Sequence, residues 1–152
     1  MGEDGSPPLV VRAGEGEDID AAGVRHVFAL TAGQTGGRVG LEEFTVPPGA
    51  VGARPHVHAD HDEVFVVLDG ELTLTTAGDA VVLGPGDTAA ALRGTVHGYR
   101  NDTEQPARAL CVYTPAGYEQ YFRDVHAAVA AGQEPTPELL GRLRARYGTT
   151  SA

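Results

Sequence analysis

Lysine is absent from this chain, and its 11 basic residues are all arginine, scattered among 21 acidic ones. At a net charge of −10 there is no basic stripe for a nucleic-acid backbone and no polybasic run for an anionic membrane surface. The acidic balance favours solubility and leaves the partner open. Cysteine occurs once, as Cys111, so no internal disulfide can form. Its apolar setting, ALCVY, suits a small buried thiol better than a reactive one. Long apolar runs are missing too. No stretch reaches the roughly 20 residues of a spanning helix, and the start, MGEDGSPPLVV, has neither the positive nor the apolar region of a signal peptide. These absences lead to the expectation of a cytoplasmic protein without nucleic-acid or membrane partners.

What the chain has in quantity is turn-formers, with 21 Gly and 10 Pro in 152 residues. Many turns and few long helices follow, in a length that suits one domain. Residues 1–20 read as a loose tail and 21–152 as a single domain. Val24–Leu30 (VRHVFAL) and Arg38–Val46 (RVGLEEFTV) read as strands, with a loop at Ala32–Gly37 between them. Pro47-Pro48-Gly49 stops the second strand, because proline lacks a ladder donor. Glu63–Leu68 is a third strand, and Asp69-Gly70 is a two-residue hairpin signal. ELTLTT, AVVL, DTAAAL, VHGYRN and ARALCVYT continue the series. Short strands at near-regular spacing imply an all-β sandwich or barrel, over about residues 24–114.

After Pro115 the period changes. Tyr118, Tyr121, Phe122, Val125 and Val129 fall at helical spacing. Thr136-Pro137-Glu138 is a helix start, and the arginines before Gly148 suit a helix end. A helical tail over about 117–147 is expected.

The chemistry concentrates in RPHVHADHDEVFVVLDG, Arg54 to Gly70. Residues two apart in a strand share a face, so His56 and His58 point together. A bend before Glu63 would bring its carboxylate to the two imidazoles. Two histidines and a carboxylate with open positions form a facial set suited to iron and similar divalent metals. His97, in GTVHGYRN, is the candidate for a fourth position. His61, between Asp60 and Asp62, reads as a surface residue, and those two acids as solvating charges. His26 and His126 read as structural or exposed. Arg54 and Tyr99 flank the set and are candidates for ligand contact or for a structural pair. Tyr118, Tyr121 and Phe122 read as packing, although a tail over the barrel mouth could bring one tyrosine near the site.

His56, His58, Glu63 and Gly70 stand at the spacing of the first motif of the cupin superfamily, which this chain resembles over about residues 39–114. The motif's leading glycine is one place away, at Gly49. His97 and Asn101 hold the end of the second motif, with Gly94 three before the histidine, but its proline is here Leu92. The resemblance implies an all-β, double-stranded β-helix (a cupin jelly roll) with a C-terminal helical extension. It implies that His56, His58, Glu63 and His97 bind one divalent transition metal ion (Fe, Ni, Mn, Cu or Zn), with Glu63 doubling as a catalytic base. The tail, TPAGYEQYF, resembles that of small quercetinase-like cupins. The implied activity is a metal-dependent dioxygenase acting on a flavonol-like or polyketide-like enol or phenol. Alternatives are a cyclase or isomerase of polyketide biosynthesis and a non-catalytic binding module. Expected partners are a small aromatic or enolic substrate, dioxygen and a second copy in a homodimer.

Overall fold

The computed structural model describes residues 5–152, so the first four residues of the expected tail lie outside the described residues. In chain order the elements are β1 (Glu17–Ala21), β2 (Val24–Leu30), α1 (Ala32–Thr35), β3 (Gly40–Val46), β4 (Val51–His58) and β5 (Asp62–Asp69). Then come β6 (Leu72–Thr75), β7 (Ala80–Leu83), β8 (Thr88–Ala91), β9 (His97–Arg100), β10 (Ala107–Thr114), α2 (Glu119–Ala130), α3 (Pro137–Ala145) and β11 (Thr149–Ser151). The strands form two antiparallel sheets. One runs β1-β2-β3-β10-β5-β8 and the other β11-β4-β9-β6-β7. This is the expected jelly roll with a C-terminal helical extension.

Alternation decides which side chains enter. In β3 every other residue is buried, Gly40, Glu42, Phe44 and Val46. β5 and β10 alternate in the same way. The inward rings meet between the sheets. Phe44 packs edge-on against Phe65 with centroids 6.1 Å apart and tilts against Tyr99 at 4.8 Å. Phe28, Phe44 and Phe65 are each 1% exposed, and each such ring contributes about 1.5–3 kcal/mol from burial.

Four elements differ from the expectation. β1 lies inside the stretch expected to be loose. Its acidic outer face hides an inward pair, Ile19 and Ala21, and the strand pairs with β2 from Glu17↔Phe28 to Ala21↔Val24. β4 runs through Pro55, and the register shift between Ala53 and His56 accommodates the missing donor. A single helical turn, α1, fills part of the Ala32–Gly37 loop. β11 follows the helices and pairs with β4, Thr149↔His58 and Ser151↔His56.

The helical tail is as expected in type, with a change in the stripe. Tyr121, Phe122, Val125 and Ala128 of α2 are buried, whereas Val129 is 38% exposed. α2 lies against β1. Arg123 pairs with Glu17 at 2.6 Å, and the His126 ring donates from Nδ1 to the Asp20 carbonyl at 2.8 Å. α3 opens as its sequence implies, with the Thr136 hydroxyl accepting from the Leu139 amide at 3.2 Å.

The Asp69-Gly70 turn does not close the expected hairpin: β5 pairs with β10 and β8 in one sheet and β6 with β9 and β7 in the other, so the turn carries the chain from sheet to sheet. Gly70 has φ 73°, and a Cβ there would strike the Pro106 carbonyl oxygen. Gly78, φ 94°, sits in open space. A left-handed L-residue costs about 1–2 kcal/mol. Gly78→Ala is therefore expected to lose about that much, and Gly70→Ala at least about 1 kcal/mol more because backbone must also move. Denaturant midpoints of the two variants check this, and equal losses would contradict the steric account.

Candidate metal centre

The two sheets each contribute to one cluster. β4 presents His56 and His58 on the same face, and β9 presents His97 directly opposite His56 in the ladder. Glu63 comes from β5 in the facing sheet. The pleat turns all four inward, and they are 4%, 1%, 1% and 4% exposed in the order His56, His58, His97, Glu63. One nitrogen or oxygen of each lies within 4.8 Å of the others. The His56 and His58 Nε2 atoms are 3.1 Å apart. Glu63 Oε1 is 2.9 Å from His58 Nε2, and Oε2 is 3.0 Å from His97 Nε2.

The outer nitrogen of each ring is fixed by the backbone or by a hydroxyl. His56 Nδ1 donates to the Arg54 carbonyl at 2.6 Å and His97 Nδ1 to the Thr95 carbonyl at 3.1 Å. His58 Nδ1 meets the Thr149 hydroxyl at 2.7 Å, and that hydroxyl donates to the Tyr147 carbonyl. With Nδ1–H so fixed, a neutral ring turns a bare Nε2 lone pair inward, and a protonated ring turns inward an Nε2–H that Glu63 can accept. Two such lone pairs at 3.1 Å repel unless a proton or a cation lies between them. Three imidazole nitrogens and a carboxylate, buried together, fit a divalent transition ion by donor chemistry. The set could hold a metal.

Electrostatics without an ion follow the same geometry. Burial pushes Glu63 up, but hydrogen bonds from His58, His61 and His97 outweigh it and hold the carboxyl well below its usual range. Burial pulls His56 down to about 3, helped by the neighbouring His97 and His58 charges. His58 is also lowered, mainly by burial. In His97 burial is opposed by the bond to Glu63, and the net direction is up. His56 and His58 are thus biased toward the neutral form that a metal requires.

His61 corrects the sequence reading. It is 5% exposed, not a surface residue, and its Nε2 lies 3.2 Å from Glu63 Oε1. Two residues before Glu63, it shares that residue's inward face. Asp62 does face out and forms a bidentate pair with Arg93 at 3.0 and 3.1 Å. Arg93 holds its carboxyl down at about 2. Asn101 ends the second motif as a structural residue: its Nδ2 donates to the Val46 and Gln105 carbonyls at 3.1 and 2.6 Å.

Above the cluster is a cavity of about 190 Å³, reached by His56, Glu63, Arg54, Tyr99, Tyr118 and Arg144 among others. Tyr118 stands edge-on to His58 with centroids 4.7 Å apart, so the tail does bring a tyrosine to the site. Tyr121 and Phe122 line the same space. A second buried dyad borders it. His26 Nδ1 lies 3.0 Å from both Glu42 oxygens, and the His26 ring stacks on Phe122 at 3.9 Å. The sequence reading passed over Glu42, although it alternates with Phe44 and Val46.

Residues 42–113 match the cupin domain family Cupin_2. The chain is 31% identical over 120 residues to quercetin 2,3-dioxygenase of Bacillus subtilis (strain 168), covering 79% of this chain and 35% of that one. It spans half or less of the length of the curated relatives it matches. KdgF from Halomonas sp. superposes with a TM-score of 0.65 at 21% identity, covering 75% of this chain and 99% of that one. The polyketide cyclase RemF from Streptomyces resistomycificus gives 0.61 at 24%, covering 71% and 80%. At such identities the structural likeness speaks for the fold alone. No helix among the described residues is long and apolar enough to cross a membrane.

The Thr149 contact makes a testable link between the C-terminal strand and the cluster. Thr149→Val keeps the shape and removes the partner of His58 Nδ1. Losing such an outer contact typically weakens metal affinity about 10–100-fold. Competition with a chromophoric chelator measures it, and unchanged affinity would show that the hydroxyl does not orient the ring.

Proposed function

Because residues 42–113 are a cupin domain and the chain belongs to the cupin superfamily, we propose that it is a metal-dependent dioxygenase acting on a compact enol or phenol. What carries the reading is the donor set: three inward Nε2 atoms and the Glu63 carboxylate on the floor of an aromatic cavity. The 31% identity to a quercetin 2,3-dioxygenase over 120 residues supports the reaction class. In this reading His56, His58, Glu63 and His97 hold one divalent ion. When bound, such an ion supplies Lewis acidity toward an enolate or phenolate oxygen.

The remaining steps belong to the chain. The cavity, about 190 Å³, is smaller than the roughly 300–1,000 Å³ of sites for drug-sized ligands. It therefore encloses the reacting ring of a flavonol-like or polyketide-like molecule rather than a whole polycyclic skeleton. Tyr99, Tyr118, Tyr121 and Phe122 supply flat apolar walls that orient a ring and exclude water. Glu63 takes the proton of the substrate hydroxyl. His61, outside the four-residue set but 3.2 Å from Glu63 Oε1, steadies that carboxylate as its partners change.

The test separates metal, base and oxygen. His58→Ala is expected to lose the ion, by elemental analysis, with its β-sheet circular dichroism retained. Glu63→Gln keeps a substantial share of the ion through three histidines but loses most turnover. Oxygen consumption is followed with flavonols and simpler enols on the same samples. A His58→Ala protein still fully loaded overturns the ligand set. Unchanged turnover without oxygen would replace the dioxygenase by a cyclase or isomerase using the same base.

We also propose a homodimer. Val81 and Val82, 47% and 60% exposed, lie on the edge strand β7, an apolar edge of the kind that pairing covers. Sedimentation velocity is expected to give twice the chain mass, and a monomer at micromolar concentration would refute it.

A further inference from the structure

Among the described residues one arginine is both buried and without a carboxylate partner. Arg25, Arg93, Arg100, Arg108, Arg123 and Arg146 each face a carboxylate, with side chains 36–63% exposed. Arg144, on α3, is only 5% exposed and has no carboxylate partner among the described residues. Its Nε is buried without any hydrogen-bond partner. The remaining arginines, Arg12, Arg38, Arg54 and Arg142, are exposed, where water solvates the charge.

A buried guanidinium without an anion is costly. Three features lessen the cost, one of them a hydrogen bond between the guanidinium and the Tyr121 side chain. The C-terminal end of α3 carries partial negative charge, and the Tyr121 ring lies 5.7 Å from the guanidinium carbon. None of the three satisfies Nε, and none supplies a full negative charge. Arg144 also lines the cavity that His56 and Glu63 line. Its positive charge is felt at His97 and at Tyr118, so one electrostatic space joins it to the donor cluster.

We propose that Arg144 is a carboxylate-recognition site: the ligand of this cavity is a small aromatic or enolic carboxylate whose anionic group lies on the Arg144 guanidinium. The planar guanidinium presents parallel N–H donors that match both oxygens of a carboxylate. Tyr118, Tyr121 and Phe122 flank the ring of the same molecule. A volume of about 190 Å³ admits a one- or two-ring acid. The inference deepens the enzymatic reading by naming the substrate class, but the anion site stands on Arg144 and does not need the metal.

The experiment uses matched probes on the full chain: 3-phenylpropanoate against 3-phenylpropanamide, and 1-naphthoate against 1-naphthamide. Isothermal titration is run on metal-loaded and on chelator-treated protein. At least one acid is expected to bind about 10–100-fold more tightly than its amide, the scale of a charge-assisted pair. Arg144→Met keeps the aliphatic stem and is expected to erase that preference, whereas Arg144→Lys keeps part of it. Equal affinity of acid and amide, no binding of any probe, or a preference that survives in Arg144→Met each overturns the proposal. The metal-free arm separates the two readings. If elemental analysis finds that protein incubated with divalent metal takes up no ion, yet the acid preference persists, the metal assignment fails and the anion site stands. Thermal unfolding without ligand guards against a structural explanation. An unpartnered cation predicts that Arg144→Met melts at the same temperature or higher, and a clear fall would overturn the proposal in favour of a packing role.

Discussion

A carboxylate placed between two apolar sheets must be met by donors or become neutral, and the interior here is organised around two of them. Glu42 and Glu63 are 1% and 4% exposed. Their surroundings differ in number of partners. Glu42 has His26 and a contact from Tyr113, and burial with the nearby Glu63 charge leaves its net shift upward. Glu63 has His58, His61 and His97, and three bonds outweigh the same desolvation, so its shift is downward. One imidazole does not offset burial, while three do. Those bonds bias Glu63 toward the ionised form, and a buried carboxylate beside inward Nε2 atoms is what makes the site suited to a cation.

The closing of this site depends on residues remote in sequence from the histidine motif. α2 is tied to β1 through Arg123–Glu17 and His126–Asp20. Tyr147 hydrogen-bonds Asp124 of α2, which directs the chain after α3 back toward the barrel. β11 then joins β4 and delivers the Thr149 hydroxyl to His58. The same tail covers the cavity with Tyr118, Tyr121, Phe122 and Arg144. The sheets supply the donor set, whereas the tail supplies the walls, one outer partner and the buried cation. The candidate donor set and the cavity lining from the tail therefore reside in different segments of the chain.

How far the sequence showed this depends on whether the signal was local. The period-2 runs specify strands by themselves, and the two-residue spacing of His56 and His58 places both on one face, but Asp69-Gly70 marks only a strand end, because the partner of each strand lies elsewhere in the chain. The same rule applied to VRHVF and LEEFTV would have put His26 with Val24 and Phe28, and Glu42 with Phe44, inside the barrel. Charge obscured it, since polar residues in a strand are ordinarily assigned outward. His61 was misplaced for the same reason: Asp60 and Asp62 suggested solvent, while its spacing from Glu63 pointed inward. β1 hid behind acidic neighbours with only Ile19 and Ala21 to bury. β11 and Arg144 were not legible at all. Three residues carry no period, and an arginine near a helix end is explained by the dipole until tertiary packing buries it.

That last case carries a wider point about the cavity. A helix end tolerates a cation, so local physics alone would leave Arg144 on the surface beside Arg142 and Arg146. Its burial comes instead from where α3 is held, by Leu139 and Leu143 packed inward on the same helix and by β11 immediately after it. Once the side chain is inside, its charge and the Glu63 carboxylate lie in one small space of low polarity, where Coulomb interactions are screened far less than in water. The two are not paired with each other, since Glu63 is taken up by imidazoles. A ligand entering this space meets a donor cluster suited to a cation and a guanidinium suited to an anion. On the proposed reading, the molecule that satisfies both would carry an oxygen near Glu63 and a permanent negative charge near Arg144, with a flat apolar body between.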